Sequence, residues 1–216
     1  MVGVFIVVVV ALGVQVAFVA MTVGLATLRG IEVVWASVGL GPPLWRRRLG
    51  PTEWRVGAVP LGSSAALRPE DPATRPTAGR RWLDDAPWGD QMLLRMGPWC
   101  VLGGVAVALR PGDLGSLPKA WVLAMAGPVQ PLSLGSETVR ASWDLVMAGA
   151  PSDVAVGTLT ALVAVNLLPF PPLSLGQALV VALPEASRTW AQVLGVTLQV
   201  AWLVGWSVAV GAAWLR

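Results

Sequence analysis

The chain has 216 residues, 55% of them hydrophobic and only 12% charged, with a net charge of +3 and a mean hydropathy of +0.68. Soluble domains carry roughly 25% charged residues, so the composition excludes an ordinary soluble domain and points to lipid as solvent. Nine of the fifteen basic residues fall between Arg29 and Arg81. Beside a hydrophobic span, such a cluster marks a cytoplasmic face and not a nucleic-acid surface.

Residues 1–28 carry no charge, and neither do 154–184 or 189–215. A spanning helix needs about 20 apolar residues. The first span is predicted at 3–28 and ends at Gly30. It has neither the basic n-region nor the cleavage site of a signal peptide. Residues 31–62 change character: two β-branched, aromatic runs flank the turn-rich LGPPLWRRRLGP, which predicts a β-hairpin at the membrane surface. Trp35, Trp45 and Trp54 suit an interfacial belt. Residues 63–90 are polar and proline-rich, and they read as a cytoplasmic loop that is disordered unless something holds it.

The second span is predicted at 91–110, where Arg95 and Arg110 can snorkel to opposite interfaces. Cys100, the single cysteine, lies inside it and cannot form an internal disulfide. Residues 120–136 are apolar but broken by Pro128 and Pro131, and they read as a re-entrant or interfacial segment. A surface helix and turn follow at 137–152, then a short third span at 153–168. A proline-rich loop at 169–176 and a fourth span at 188–215 complete the order. The fold class is therefore mainly α, a polytopic membrane protein forming a single membrane domain with about four spans. The basic 29–90 region faces the cytoplasm, which puts both termini outside. Fourteen of the fifteen basic residues are Arg. With abundant Ala, Gly and Pro, that suits a GC-rich bacterial genome and hence a bacterial inner membrane.

Four stretches, in order, resemble one family, the site-2 proteases, which are intramembrane zinc metalloproteases. ASVGLGPPLWRRRLGPTEWRVGAVPLGS resembles the β-hairpin after their first catalytic helix. RMGPWCVLGG resembles their AGP-containing second helix, AMAGPVQP the segment before the third, and NLLPFPPLSLGQAL the motif NLLPxPPLDGGHxL. No room remains for the PDZ insert that many members carry. The resemblance implies a site-2-protease-like core. It also implies a zinc site built from an HExxH on the first helix and the Asp of the LDGG motif, with the Glu as general base.

Counting back from Gly30, the HExxH position falls on Phe18-Val19-Ala20-Met21-Thr22. Phe18 and Thr22 stand where the two His belong, Val19 where the Glu belongs, and Ser174 where the Asp belongs. The chain contains no His at all. A hydrolytic zinc site needs about three protein ligands, so these four degenerate positions are expected to pack as apolar structure, with Phe18 and Met21 filling the metal's volume. A serine protease needs a base, usually His. An aspartyl dyad needs two carboxylates facing each other, and the spans have none. No catalysis, metal or cofactor is expected.

What the resemblance leaves is binding. In the family the Asn before LLP and the proline-rich loop hold an extended substrate segment, and the hairpin edge takes it up by β-augmentation. The candidate partner-binding residues are Asn166, Pro169, Pro171, Pro172, Trp54 and Val56. Asn166 is equally well read as a helix-ending residue that satisfies local backbone. The expected role is a non-catalytic protein that binds other integral membrane proteins within a lipid bilayer, as a subunit, assembly factor or regulator. The alternatives are a residual metalloprotease with ligands supplied from elsewhere, and a lipid or small-molecule binder or transporter using the old cleft.

Overall fold

A computed structural model of the chain describes residues 2–67, 75–110, 112–170 and 173–215. Three helices are long and apolar enough to cross a bilayer: α1 (Val2–Leu28), α2 (Trp88–Ala108) and α7 (Glu185–Leu215). The Val/Ile run of α1 would favour strand in water. In hydrocarbon each backbone group must be satisfied within its own segment, and a helix does that. Gly30, at φ +66°, closes α1, and the Ile31 N–H reaches back to the Ala26 carbonyl at 2.8 Å.

The expected third span is present as a helix, α5 (Pro151–Asn166), but it has 16 residues. At 1.5 Å per residue that is about 24 Å, short of the roughly 30 Å hydrocarbon core. The third candidate span is instead α7. The apolar count at 153–168 ran on through Leu167 and Leu168, whereas the helix stops at Asn166 ahead of Pro169.

The chain forms two compact units, residues 11–98 on the one hand and 1–10 with 99–216 on the other. In the first, β1 (Trp35–Leu49) and β2 (Thr52–Ala66) make a two-stranded antiparallel sheet turning at Gly50, φ +64°. The strands are long and fold back on one another. Residues 45–49 match 56–52, while residues 35–38 lie beside both 53–56 and 66–63. The hairpin thus runs to Ala66, beyond the expected end at 62, because its last residues pair with a segment almost thirty positions upstream.

The region expected as a loose loop at 63–90 is held wherever it is described. Ile31 bridges Arg81, the Glu32 carboxylate accepts from the Thr77 hydroxyl at 2.8 Å, and a short 3₁₀ turn at Leu83–Asp85 leads into α2. Asp90 accepts from Arg29 at 2.9 Å and from Arg81 at 2.7 Å, with its own side chain 10% exposed. One carboxylate thereby ties the end of α1, the loop and the start of α2. The core of this unit is Val19, Ala26, Ile31, Val33, Ala36, Leu83, Ala86 and Leu94, so helix, sheet and loop bury a common apolar face.

The second unit contains α3 (Ser116–Ala126), α4 (Ser136–Ala148), α5, α6 (Ser174–Ala182) and α7. The segment expected at 120–136 resolves into the end of α3, a turn, and a π-helical turn at Pro131–Gly135 that runs directly into α4. Small residues let α7 approach this turn. A Cβ on Gly205 would lie 2.5 Å from the Pro128 Cβ, and one on Gly135 would lie 2.9 Å from the Ala209 Cβ. Close approach at small residues is the usual basis of helix packing in lipid. Two indole N–H groups add bonds between elements: Trp202 donates to the Ala124 carbonyl at 2.7 Å and Trp121 to the Leu167 carbonyl at 3.0 Å. Arg110 pairs with Asp153 in the first turn of α5.

Candidate functional site

The turn of α1 at 18–22 is the first half of the site implied by the resemblance. Residues 18, 19 and 22 share a helix face by their spacing. Val19 is fully buried in the core of its unit, and Phe18 packs against the same cluster. Thr22 is 4% exposed, and its hydroxyl donates to the Phe18 carbonyl at 2.8 Å. This back-bond satisfies a buried hydroxyl that has no water to turn to. The three positions therefore contribute volume and a local hydrogen bond.

Ser174, the fourth position, lies in the other unit, where it is the first residue of α6 and half-buried. The stretch expected as a loop through 176 is thus helical from Ser174 onward. Ahead of it, the Leu173 N–H bonds to the Phe170 carbonyl at 2.8 Å. Pro169 is half-buried, and Pro171 and Pro172 lie outside the described residues.

Asn166 ends α5, and its side-chain amide donates to the Leu162 carbonyl one turn back, at 2.9 Å. Of the two readings of this residue, the local one has a geometry: the amide supplies a donor to its own helix. Trp54 packs against the core of the first unit, while Val56 is 43% exposed. Both sit in the segment that is matched on each side, by 45–49 and by 35–38. Main-chain addition of a further strand is therefore left to two edges, each matched on one side only among the described residues: 63–66, and 43–49. Leu44 and Trp45, 74% and 46% exposed, sit on the second.

The donor set does not fit a zinc ion. Phe18 and Val19 offer no lone pair, Thr22 engages its own helix, and Ser174 is a neutral hydroxyl where a carboxylate is required. No group of three or more His, Cys, Asp or Glu is gathered for a metal among the described residues.

The Arg29–Asp90–Arg81 cluster was not singled out from the sequence. Its only signal is the lone Asp at the start of the second span, 61 residues from one partner and nine from the other. Spacing of that kind carries no periodicity.

Three apolar helices of spanning length, a small two-stranded sheet after the first, and a helix that stops at Asn166 ahead of Pro169 define a polytopic, mainly helical membrane protein. The profile of peptidase family M50, the site-2 protease family, matches residues 9–205, nearly the whole chain, and the protein belongs to that family. Neither a curated protein nor a solved structure matches it.

Proposed function

We propose that this chain is a non-catalytic member of family M50 that binds another integral membrane protein, as a subunit, assembly factor or regulator of a membrane complex. One observation carries the reading: Val19, the position that the resemblance assigns to the family's catalytic Glu, is fully buried in an apolar core. A general base cannot be supplied from there, and a sequence with no His has no imidazole to replace the two ligands beside it. The family frame persists around these positions: the hairpin, the GP-containing second helix and the NLLP turn.

The protein sits in a bacterial inner membrane, with the basic 29–90 region on the cytoplasmic side. α5 completes a fourth crossing, its shortfall in length met by local thinning of the bilayer. The partner contacts the hairpin at Val56 and along the open segment 43–49, where exposed apolar side chains stand beside Arg46, Arg47 and Arg48.

Affinity purification from native membranes in mild detergent tests the reading. A stoichiometric membrane-protein partner is expected, and its recovery should fall when Val56 and Trp45 are replaced by Glu together. A chain that elutes alone, with no co-purifying protein, would overturn it.

A further inference from the structure

Within the unit formed by 99–216, helices α3, α4, α5 and α7 line an open cavity of about 810 Å³. That lies within the size range of small-molecule sites. None of its lining residues comes from the 18–22 turn or from 166–179, so it does not draw on the positions the family uses for chemistry. Its walls are aromatic and aliphatic. Trp143 and Trp214 stack edge-to-face at 5.3 Å, and Trp206 is fixed the same way against Trp202 at 6.3 Å.

The charged lining is unequal. Arg110 is already paired with Asp153, and Asp113, Lys119 and Asp144 are exposed to solvent. Arg140 differs from these. It is half-buried, its Nε donates to the Ala213 carbonyl near the end of α7 at 3.1 Å, and no carboxylate pairs with it among the described residues. Its Nη2 is enclosed by the protein, which leaves the Nη1 edge to the cavity. A guanidinium can only donate. A partly buried cation is costly unless an acceptor reaches it. That edge therefore calls for a ligand with acceptor oxygens, and guanidinium matches phosphate best. The apolar walls call for hydrocarbon on the same molecule. Only 11% of the apolar window of α7 is buried within the chain, so the helix that lines this cavity is otherwise left to the bilayer. The amphiphile at hand there is a phospholipid.

We infer that this cavity binds one phospholipid, its phosphate against Arg140 and an acyl chain along the Trp206 wall. The full chain, delipidated in mild detergent, can be offered palmitoyl-oleoyl phosphatidylglycerol or the diacylglycerol with the same chains, and bound lipid counted by native mass spectrometry. One phosphatidylglycerol per chain should be retained, and diacylglycerol at least about fivefold less, as expected for loss of a charge-assisted contact. Arg140→Gln should lose retention to a similar degree, and Arg140→Lys should recover part of it. Because Arg140 also caps α7, Ala161→Phe provides a second variant that fills the cavity and leaves the guanidinium in place, and it should abolish retention. A photoreactive acyl chain on phosphatidylglycerol, added to the unaltered protein, should label peptides spanning 116–124, 138–146 or 206–214. Equal retention of the two lipids overturns the inference. So does labelling confined to other peptides, or a protein segment found in the cavity in place of lipid.

Discussion

Thr22 turns its hydroxyl onto the carbonyl of Phe18, 2.8 Å away. By the resemblance, these two positions, one helical turn apart, are where the family's pair of zinc-binding histidines is expected. The bond is local and would form in any apolar helix. Its weight comes from what lies between them: Val19, with no exposed surface, packed into the core that joins α1 to the sheet and to the start of α2. The position that the resemblance assigns to a catalytic carboxylate is here part of the packing of the unit.

Val19→Ala should therefore destabilise the protein by about 1–3 kcal/mol, the cost of a cavity in a packed core. Val19→Glu should be worse, since it buries a carboxylate with no metal beside it. Thermal unfolding in detergent checks both. A Val19→Glu protein as stable as the parent would show that the cleft is wetter and looser than the packing indicates.

Asp90 is the acceptor that Arg29 and Arg81 share, and Arg81 also reaches the Arg29 carbonyl. Replacing it by Ala removes two charge-assisted bonds, but both arginines are about half exposed and remain hydrated. The expected cost is modest, about 1–2 kcal/mol. The clearer readout is local. Trypsin should cleave after Arg80 and Arg81 faster in Asp90→Ala, because the described part of the loop loses its tether to α2.

Trp202 and Trp121 each donate an indole N–H to a carbonyl on another element. Trp→Phe at either keeps most of the apolar contact and leaves a carbonyl unpaired, so each should cost about 1 kcal/mol. The two bonds share no partner, and the double variant should be close to additive.

Gly205 meets Pro128 so closely that an added Cβ would fall 2.5 Å from its Cβ and 2.5 Å from its carbonyl oxygen. The obstacle is proline and backbone, which cannot swing aside. Gly205→Ala should cost about 1–3 kcal/mol by overpacking. Gly211, with nothing within 4 Å of an added Cβ, should accept Ala without loss, and the pair of melting temperatures compares the two.

The spans at the two ends were legible because charge-free runs longer than a bilayer have few other solutions. The hairpin was legible for a similar reason: its β-branched runs flank a glycine–proline turn. Its last four residues were not, since SSAA has no strand propensity and is placed only by pairing with 35–38. The ordering of 75–90 escaped notice because it depends on Ile31, Glu32 and Asp90, distant partners that leave no local pattern. α6 was hidden by its position immediately after the proline-rich stretch, where the family motif drew attention to Ser174 as a ligand position and not as the first residue of a helix. Of the site, the proposal that the chemistry is absent rests on four residue types that the sequence alone supplies. Packing at Val19 was expected from its residue type, and the bond of Asn166 to its own helix was one of two readings left open; that Trp54 faces inward was not legible, because it depends on which way a side chain turns within a known element.

The most direct test of the central reading is the metal content of the purified full chain, measured by elemental analysis alongside an intramembrane cleavage assay on a model transmembrane peptide. Zinc far below one per chain, with no chelator-sensitive cleavage, is the expected result. One zinc per chain, together with cleavage that is lost in Ser174→Ala, would contradict it.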